Sequence, residues 1–171
     1  MANIYLFSGP CGCGKTTLAN AFAHTLRKPA CIIHGDDFQN RLIQPEDASN
    51  PAWEDVLCFN WRCILDVARN ALQMGVDVDV VIDYIVEDEL PRVQALANDF
   101  SATLHYIVLT VSEDTLRQRL QERGDAWLTE RALFLKAKLD AMQENQGHIF
   151  DITSMTLEQE LQRLQQGNFI V

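Results

Sequence analysis

Positive charge is scarce in this chain. Its 171 residues carry 14 Lys and Arg against 24 Asp and Glu, a formal net charge of −10, and only four of the cations are lysines. A surface of that sign repels phosphate backbones, so nucleic acid is not an expected partner. Long apolar runs are missing as well. None approaches the roughly 20 residues that cross a bilayer, and no membrane role is expected. The stretch Ile4-Tyr5-Leu6-Phe7 is too short for a signal peptide and lacks a charged leader. The five cysteines, an odd number with no export signal, fit free thiols in a reducing cytoplasm rather than a disulfide framework. Cys11 and Cys13 have no second Cys or His pair at zinc-ligand spacing. Repeats, low-complexity tracts and linkers are also absent, and the length suits a single domain over 1–171.

Against these absences stands one dense motif. Gly9-Pro10-Cys11-Gly12-Cys13-Gly14-Lys15-Thr16 matches G-x-x-x-x-G-K-[ST], the phosphate-binding P-loop. An apolar run precedes it and reads as a strand, and Thr17 to Leu26 reads as a helix. Glycines let the backbone wrap closely around phosphate oxygens. Successive N–H groups and the positive helix end then hold the negative charge. Lys15 is expected on the β/γ-phosphates of ATP and the Thr16 hydroxyl on Mg²⁺. Gly9, Pro10, Cys11, Gly12, Cys13, Gly14, Lys15, Thr16 and Thr17 form the expected nucleotide-binding set.

Elsewhere strand and helix patterns alternate, which argues for a parallel sheet covered on both faces. Strands are expected near 3–8, 30–34, 78–82, 103–109 and 148–152. Residues 39–50 read as polar and irregular. Asn50-Pro51 reads as a cap and first-turn proline. It opens a helix that carries Trp53, Leu57, Trp61, Ile64 and Leu65 and stops at Gly75. Further helices are expected over 90–100, from the Ser112 cap to Arg123, and over 129–145. Thr156-Leu157-Glu158-Gln159 reads as a capping box for the last helix.

Three features bear on chemistry. Gly35-Asp36-Asp37 follows the second strand, on the side where ligands of open α/β sheets sit. A carboxylate there could accept a proton from an acceptor hydroxyl, or merely cap a turn. Asp36 is favoured as the base, with Asp37 left to capping or Mg²⁺ support. Val80-Val81-Ile82-Asp83 has the Walker B form, an apolar strand ending in a carboxylate that supports Mg²⁺. Leu116 and Leu120 would pin a helix on which Arg119 and Arg123 share a face. Those arginines suit a lid, about 112–145, that closes on ATP and neutralises the transferring phosphate. A solvated helix pairing Glu122 with Arg119 is the alternative.

Together these residues resemble the P-loop small-molecule kinases related to gluconate kinase, shikimate kinase, adenylylsulfate kinase and chloramphenicol phosphotransferase. The resemblance rests on Gly9 to Thr16, Gly35-Asp36, the Leu116-x-x-Arg119-Leu120-x-x-Arg123 pattern, and Asp151-Ile152-Thr153-Ser154 as the turn near the adenine. It covers nearly the whole chain, and Trp61 and Asp83-Tyr84-Ile85 add likeness to bacterial gluconate-kinase-like chains. It implies an α/β three-layer P-loop NTPase fold, a five-stranded parallel sheet of order 2-3-1-4-5, and a helical lid. It also implies ATP–Mg²⁺ and a small-molecule acceptor bound between the second and third strands. Arg41, Trp61 and Arg62 are candidate acceptor contacts, with Trp61 in the core and Arg62 on the surface as the alternative. The expected protein is a cytoplasmic kinase, monomeric or homodimeric. A nucleoside or nucleotide kinase, or a nucleotide-binding regulatory protein, remains the alternative.

Overall fold

The computed structural model describes residues 1–43 and 49–171. Strands β1 (Asn3–Ser8), β2 (Ala30–His34), β3 (Asp79–Asp83), β4 (Thr103–Thr110) and β5 (Ile149–Asp151) form one sheet in the order β2-β3-β1-β4-β5. Every pairing is parallel. The register sets Phe7 opposite Asp83 and His34 opposite Asp83, so the carboxyl ends of β1, β2 and β3 finish together. All five residues of β3 are buried. Its central Val-Val-Ile run suits a strand covered on both faces.

The covering helices are α1 (Lys15–Ala23), α2 (Gly35–Gln39), α3 (Trp53–Leu72), α4 (Leu90–Asp99), α5 (Glu113–Arg123), α6 (Thr129–Ala141) and α7 (Leu157–Gln166). Side chains alternate across each strand. Ile4 and Leu6 of β1 therefore join one core, with Trp61 and Ile64 of α3, Val93 of α4 and Leu139 of α6. Phe7 joins the other, with Leu18 and Phe22 of α1, Leu116 and Leu120 of α5, and Leu164 of α7. The result is a three-layer α/β fold with the sheet between two helical layers. Among the described residues no helix is long and apolar enough to cross a membrane.

Several boundaries differ from the sequence expectation. Asn50-Pro51 does not open α3. Ala52 precedes the helix in an extended conformation (φ −59°, ψ 145°), and no side chain caps it. Glu54 and Asp55 in the first turn complement the positive helix end instead. The segment expected to be irregular, 39–50, follows the short helix α2, whose last residue is Gln39, and residues 44–48 lie outside the described residues. The helix expected over 129–145 stops at Ala141. Met142 turns to φ −67°, ψ 128°, and a 3-10 turn follows over Gln143–Asn145. Asn145 explains the stop, because its Nδ2 donates to the Leu139 carbonyl at 2.9 Å and satisfies a helix-end acceptor. The break at 124–128 contains a second 3-10 turn, Ala126–Leu128. Ser112 caps α5 by accepting from the Thr115 amide, and the Thr156–Gln159 capping box is complete at α7.

Candidate active site

A cavity of about 540 Å³ opens at the carboxyl ends of the central strands. That volume is within the range of ligand-binding clefts. Its floor is the loop between β1 and α1. Gly12 in this loop has φ +79°, and a Cβ there would lie 2.8 Å from Leu120 Cδ2. The loop is therefore pressed directly against α5, and only a residue without a side chain fits the gap. Lys15 Nζ donates to the carbonyls of Gly9 (2.9 Å) and Pro10 (3.0 Å). Arg119 Nη1 reaches from α5 to donate to the Cys13 carbonyl at 2.6 Å. Two cations thus converge on the loop.

Behind the loop sits a buried carboxylate. Thr16 Oγ1 donates to Asp83 Oδ2 at 2.5 Å, and His34 Nδ1 lies 2.5 Å from Asp83 Oδ1. Burial pushes the Asp83 carboxyl above the usual range, opposed by hydrogen bonds from Thr16 and His34 and by the charges of His34 and Lys15. The Thr16 hydroxyl and the Asp83 carboxylate bring two hard oxygens to one point. Oxygen donors of this kind are what Mg²⁺ takes, so the donor set fits that ion.

The lining residues come from two sides of the sheet. In a first group Asp36, Tyr84 and Ile85 follow β2 and β3, with Trp53 of α3 and Arg131 and Leu135 of α6, and in a second group Ile152, Met155, Leu157 and Glu160 follow β5 at the other edge. In the first, the Asp36 side chain is solvent-exposed at the start of α2. Asn60 Nδ2 donates to the Tyr84 hydroxyl at 2.6 Å, and burial pushes that phenol up to about 12. The Arg131 guanidinium stacks over the Trp53 ring at 4.5 Å, a cation–π contact that links α6 to α3. On either side of Ile152, the Thr153 amide and hydroxyl both donate to Asp151 Oδ1, at 2.9 and 2.6 Å. These bonds hold the Asp151 carboxyl below the usual range.

Residues 4–149 match the AAA domain family. The chain belongs to it. Two solved structures share the fold of this AAA domain chain. The tunicamycin resistance protein of Deinococcus radiodurans is 16% identical, with a TM-score of 0.65 and coverage of 100% of this chain and 99% of its own. A gluconokinase from Sinorhizobium meliloti is 16% identical, with a TM-score of 0.57 and coverage of 95% and 93%. No curated protein matches the sequence.

Within the AAA domain chain most of the expected site residues meet in one cavity. Gly9, Cys11, Gly12, Gly14, Lys15, Thr16, Thr17, Asp36, Asp83, Arg119 and Arg123 all line it. Pro10 contributes only its carbonyl to Lys15. Cys13 is wholly buried, and burial pushes its thiol up. All five cysteines are free. Asp37 does not line the cavity and makes no cap, since His34 precedes α2 without a side-chain bond. Arg123 faces the cavity but is bonded through Nε to Asp125 at 2.5 Å, with 57% of its side chain exposed. Arg119 does not pair with Glu122, which accepts from Gln118 instead. Trp61 lies in the core, edge-on to Tyr84 at 5.7 Å. Arg41 and Arg62 are exposed and do not line the cavity.

His34 has a contact that sequence reasoning did not single out. It ends β2 as Asp83 ends β3, and the two are register partners. Only the adjacency of those strands, which no local pattern carries, brings them together.

Proposed function

We propose that the protein is a kinase that transfers the γ-phosphoryl of ATP to a hydroxyl of a small molecule. One observation carries this reading. A phosphate loop, a buried Asp–Thr pair suited to Mg²⁺ and an exposed carboxylate, Asp36, share a single cavity. Loop amides and Lys15 would hold the β- and γ-phosphates. To do so, Lys15 exchanges the Gly9 and Pro10 carbonyls for phosphate oxygens. Mg²⁺, held by Thr16 and Asp83, would neutralise charge on the phosphates when bound. The acceptor would lie against Trp53, Tyr84 and Ile85, with its hydroxyl toward Asp36. Asp36 would orient that hydroxyl and take its proton. Arg119, released from the Cys13 carbonyl, and Arg123 would stabilise charge on the transferring group. The acidic surface argues against a nucleic-acid acceptor. The chain would act as one domain, a monomer or homodimer.

The test is ATP consumption with Mg²⁺ across sugars, sugar acids, nucleosides, aminoglycosides and phenicols. At least one acceptor should raise turnover well above slow ATP hydrolysis, and the rise should vanish in Asp36→Asn. Nucleotide binding with no acceptor-dependent turnover would favour a regulatory nucleotide-binding protein.

A further inference from the structure

Helix α7 turns one face inward, and that face is apolar except at a single position. Leu161 and Leu164 follow the spacing that points a helix toward a core, while Leu157 at the helix start is exposed and lines the cavity. Glu160 stands in the same stripe and is 6% exposed, as buried as Leu164 at 7%. Among the described residues no group hydrogen-bonds its carboxylate, and Arg119 is the charge that acts on it. Burial pushes this carboxyl upward, opposed by the charge of Arg119. An acid in the first turn complements the helix dipole, but the exposed Glu158 already does so without losing water. Its carboxylate oxygens are not among the side-chain atoms sealed from solvent without a partner, and the residue lines the cavity.

Its place in the cavity is specific. At the start of α1, a Cβ on Gly14 would lie 3.3 Å from Arg119 Nη1 and 3.9 Å from Ile152 Cδ1. Beyond that point Ile152, Met155 and Leu157 make an apolar wall, and Glu160 is its carboxylate. Asp36 follows β2, at the opposite edge of the sheet from β5. A nucleotide with its phosphates on the loop and its γ-phosphate toward Asp36 must extend its nucleoside along this wall. We infer that Glu160 is a specificity residue for the nucleotide, accepting hydrogen bonds from N–H or O–H donors of the nucleoside, an exocyclic base amine or a ribose hydroxyl. The inference rests on the nucleotide-binding reading above.

The test is calorimetric binding of Mg²⁺–ADP and of Mg²⁺–tripolyphosphate, which has no nucleoside, to wild type, Glu160→Gln and Glu160→Leu. Glu160→Leu should bind ADP about tenfold or more weakly, the loss expected for a hydrogen bond to a charged group. Tripolyphosphate affinity should stay within about twofold on the same grounds. Glu160→Gln keeps one acceptor oxygen and should fall between. Without ligand, Glu160→Leu should melt close to wild type, because among the described residues it breaks no hydrogen bond and the side chain lines the open cavity. Diphosphates of purine riboside, 2′-deoxyadenosine and 3′-deoxyadenosine identify the group read, since the penalty of Glu160→Leu disappears for the ligand lacking that group. Equal ADP affinity in all three proteins, or equal losses for ADP and tripolyphosphate, would overturn the inference while leaving the kinase reading intact. A wild type that binds neither ligand would overturn both.

Discussion

Gly12 and Gly124 form a matched pair that tests how tightly the phosphate loop is packed against α5. Both have a left-handed backbone, with φ of +79° and +82°. At Gly124 a Cβ would meet nothing within 4 Å, whereas at Gly12 it would lie 2.8 and 2.9 Å from Cδ2 and Cγ of Leu120. Gly124→Ala therefore costs only the backbone penalty, about 1–2 kcal/mol. Gly12→Ala adds displacement of a wholly buried leucine, and overpacking of that kind costs about 1–3 kcal/mol. Its total is about 2–5 kcal/mol. In a chain of this size ~1 kcal/mol moves Tm by roughly 2–4 °C. Gly124→Ala should then lose about 2–8 °C and Gly12→Ala about 4–20 °C, read by scanning calorimetry. Leu120→Ala alone costs about 2–5 kcal/mol, but it removes the atoms that Gly12→Ala would strike. The double variant should therefore be less destabilised than the sum, by about 1–3 kcal/mol. Equal losses at the two glycines, or an additive double variant, would refute close packing of the loop against α5.

Other outcomes follow from the same geometry. Lys15→Ala should keep the fold and lose most nucleotide affinity or turnover, and unchanged binding and turnover would remove the phosphate-loop assignment. Arg119→Ala and Arg123→Ala should lower turnover more than ADP affinity, because their charge matters most as charge spreads on the transferring phosphoryl. Equal losses would indicate ground-state contacts only. Asp36→Asn should keep ATP affinity and reduce transfer by about a hundredfold or more, while Asp37→Asn, off the cavity wall, should be mild. Burial pushes Tyr84 up to about 12 and raises Tyr5 and Tyr106 as well. Absorbance at 295 nm should therefore show few of the three tyrosines ionised at pH 10. The folded state keeps protons that the unfolded chain releases there, so stability is intact below about pH 10 and falls toward 12. Half-titration at pH 10 in the folded protein would contradict this.

What was legible in the sequence was local or periodic. The phosphate loop is eight contiguous residues, and its strand and helix flank it directly. The buried run ending at Asp83 announced both a strand and its terminal carboxylate. Alternation of strand and helix implied the parallel sheet, but its strand order came from family likeness rather than from any periodicity. The lid helix was readable from Leu116 and Leu120, yet the partner of Arg119, a loop carbonyl 106 residues away in sequence, was not. His34 gains meaning only beside Asp83, across a strand pairing. Glu160 was hidden within a polar helix start, because a single Glu in an apolar stripe looks like ordinary surface until burial is known. Asn50-Pro51 misled because capping chemistry was present two residues before the backbone turned helical.

The central claim is phosphoryl transfer to a small hydroxyl compound in the cavity that holds Asp36. The direct measurement is transfer of label from γ-³²P-ATP with Mg²⁺ to a small-molecule acceptor, compared between wild type and Asp36→Asn at matched nucleotide occupancy. The account predicts a labelled acceptor from wild type and about a hundredfold less or lower still from Asp36→Asn, with ATP bound equally by both. Equal labelling by the two proteins with an identified acceptor would contradict the carboxylate mechanism, and nucleotide bound without any labelled acceptor would contradict the kinase assignment itself.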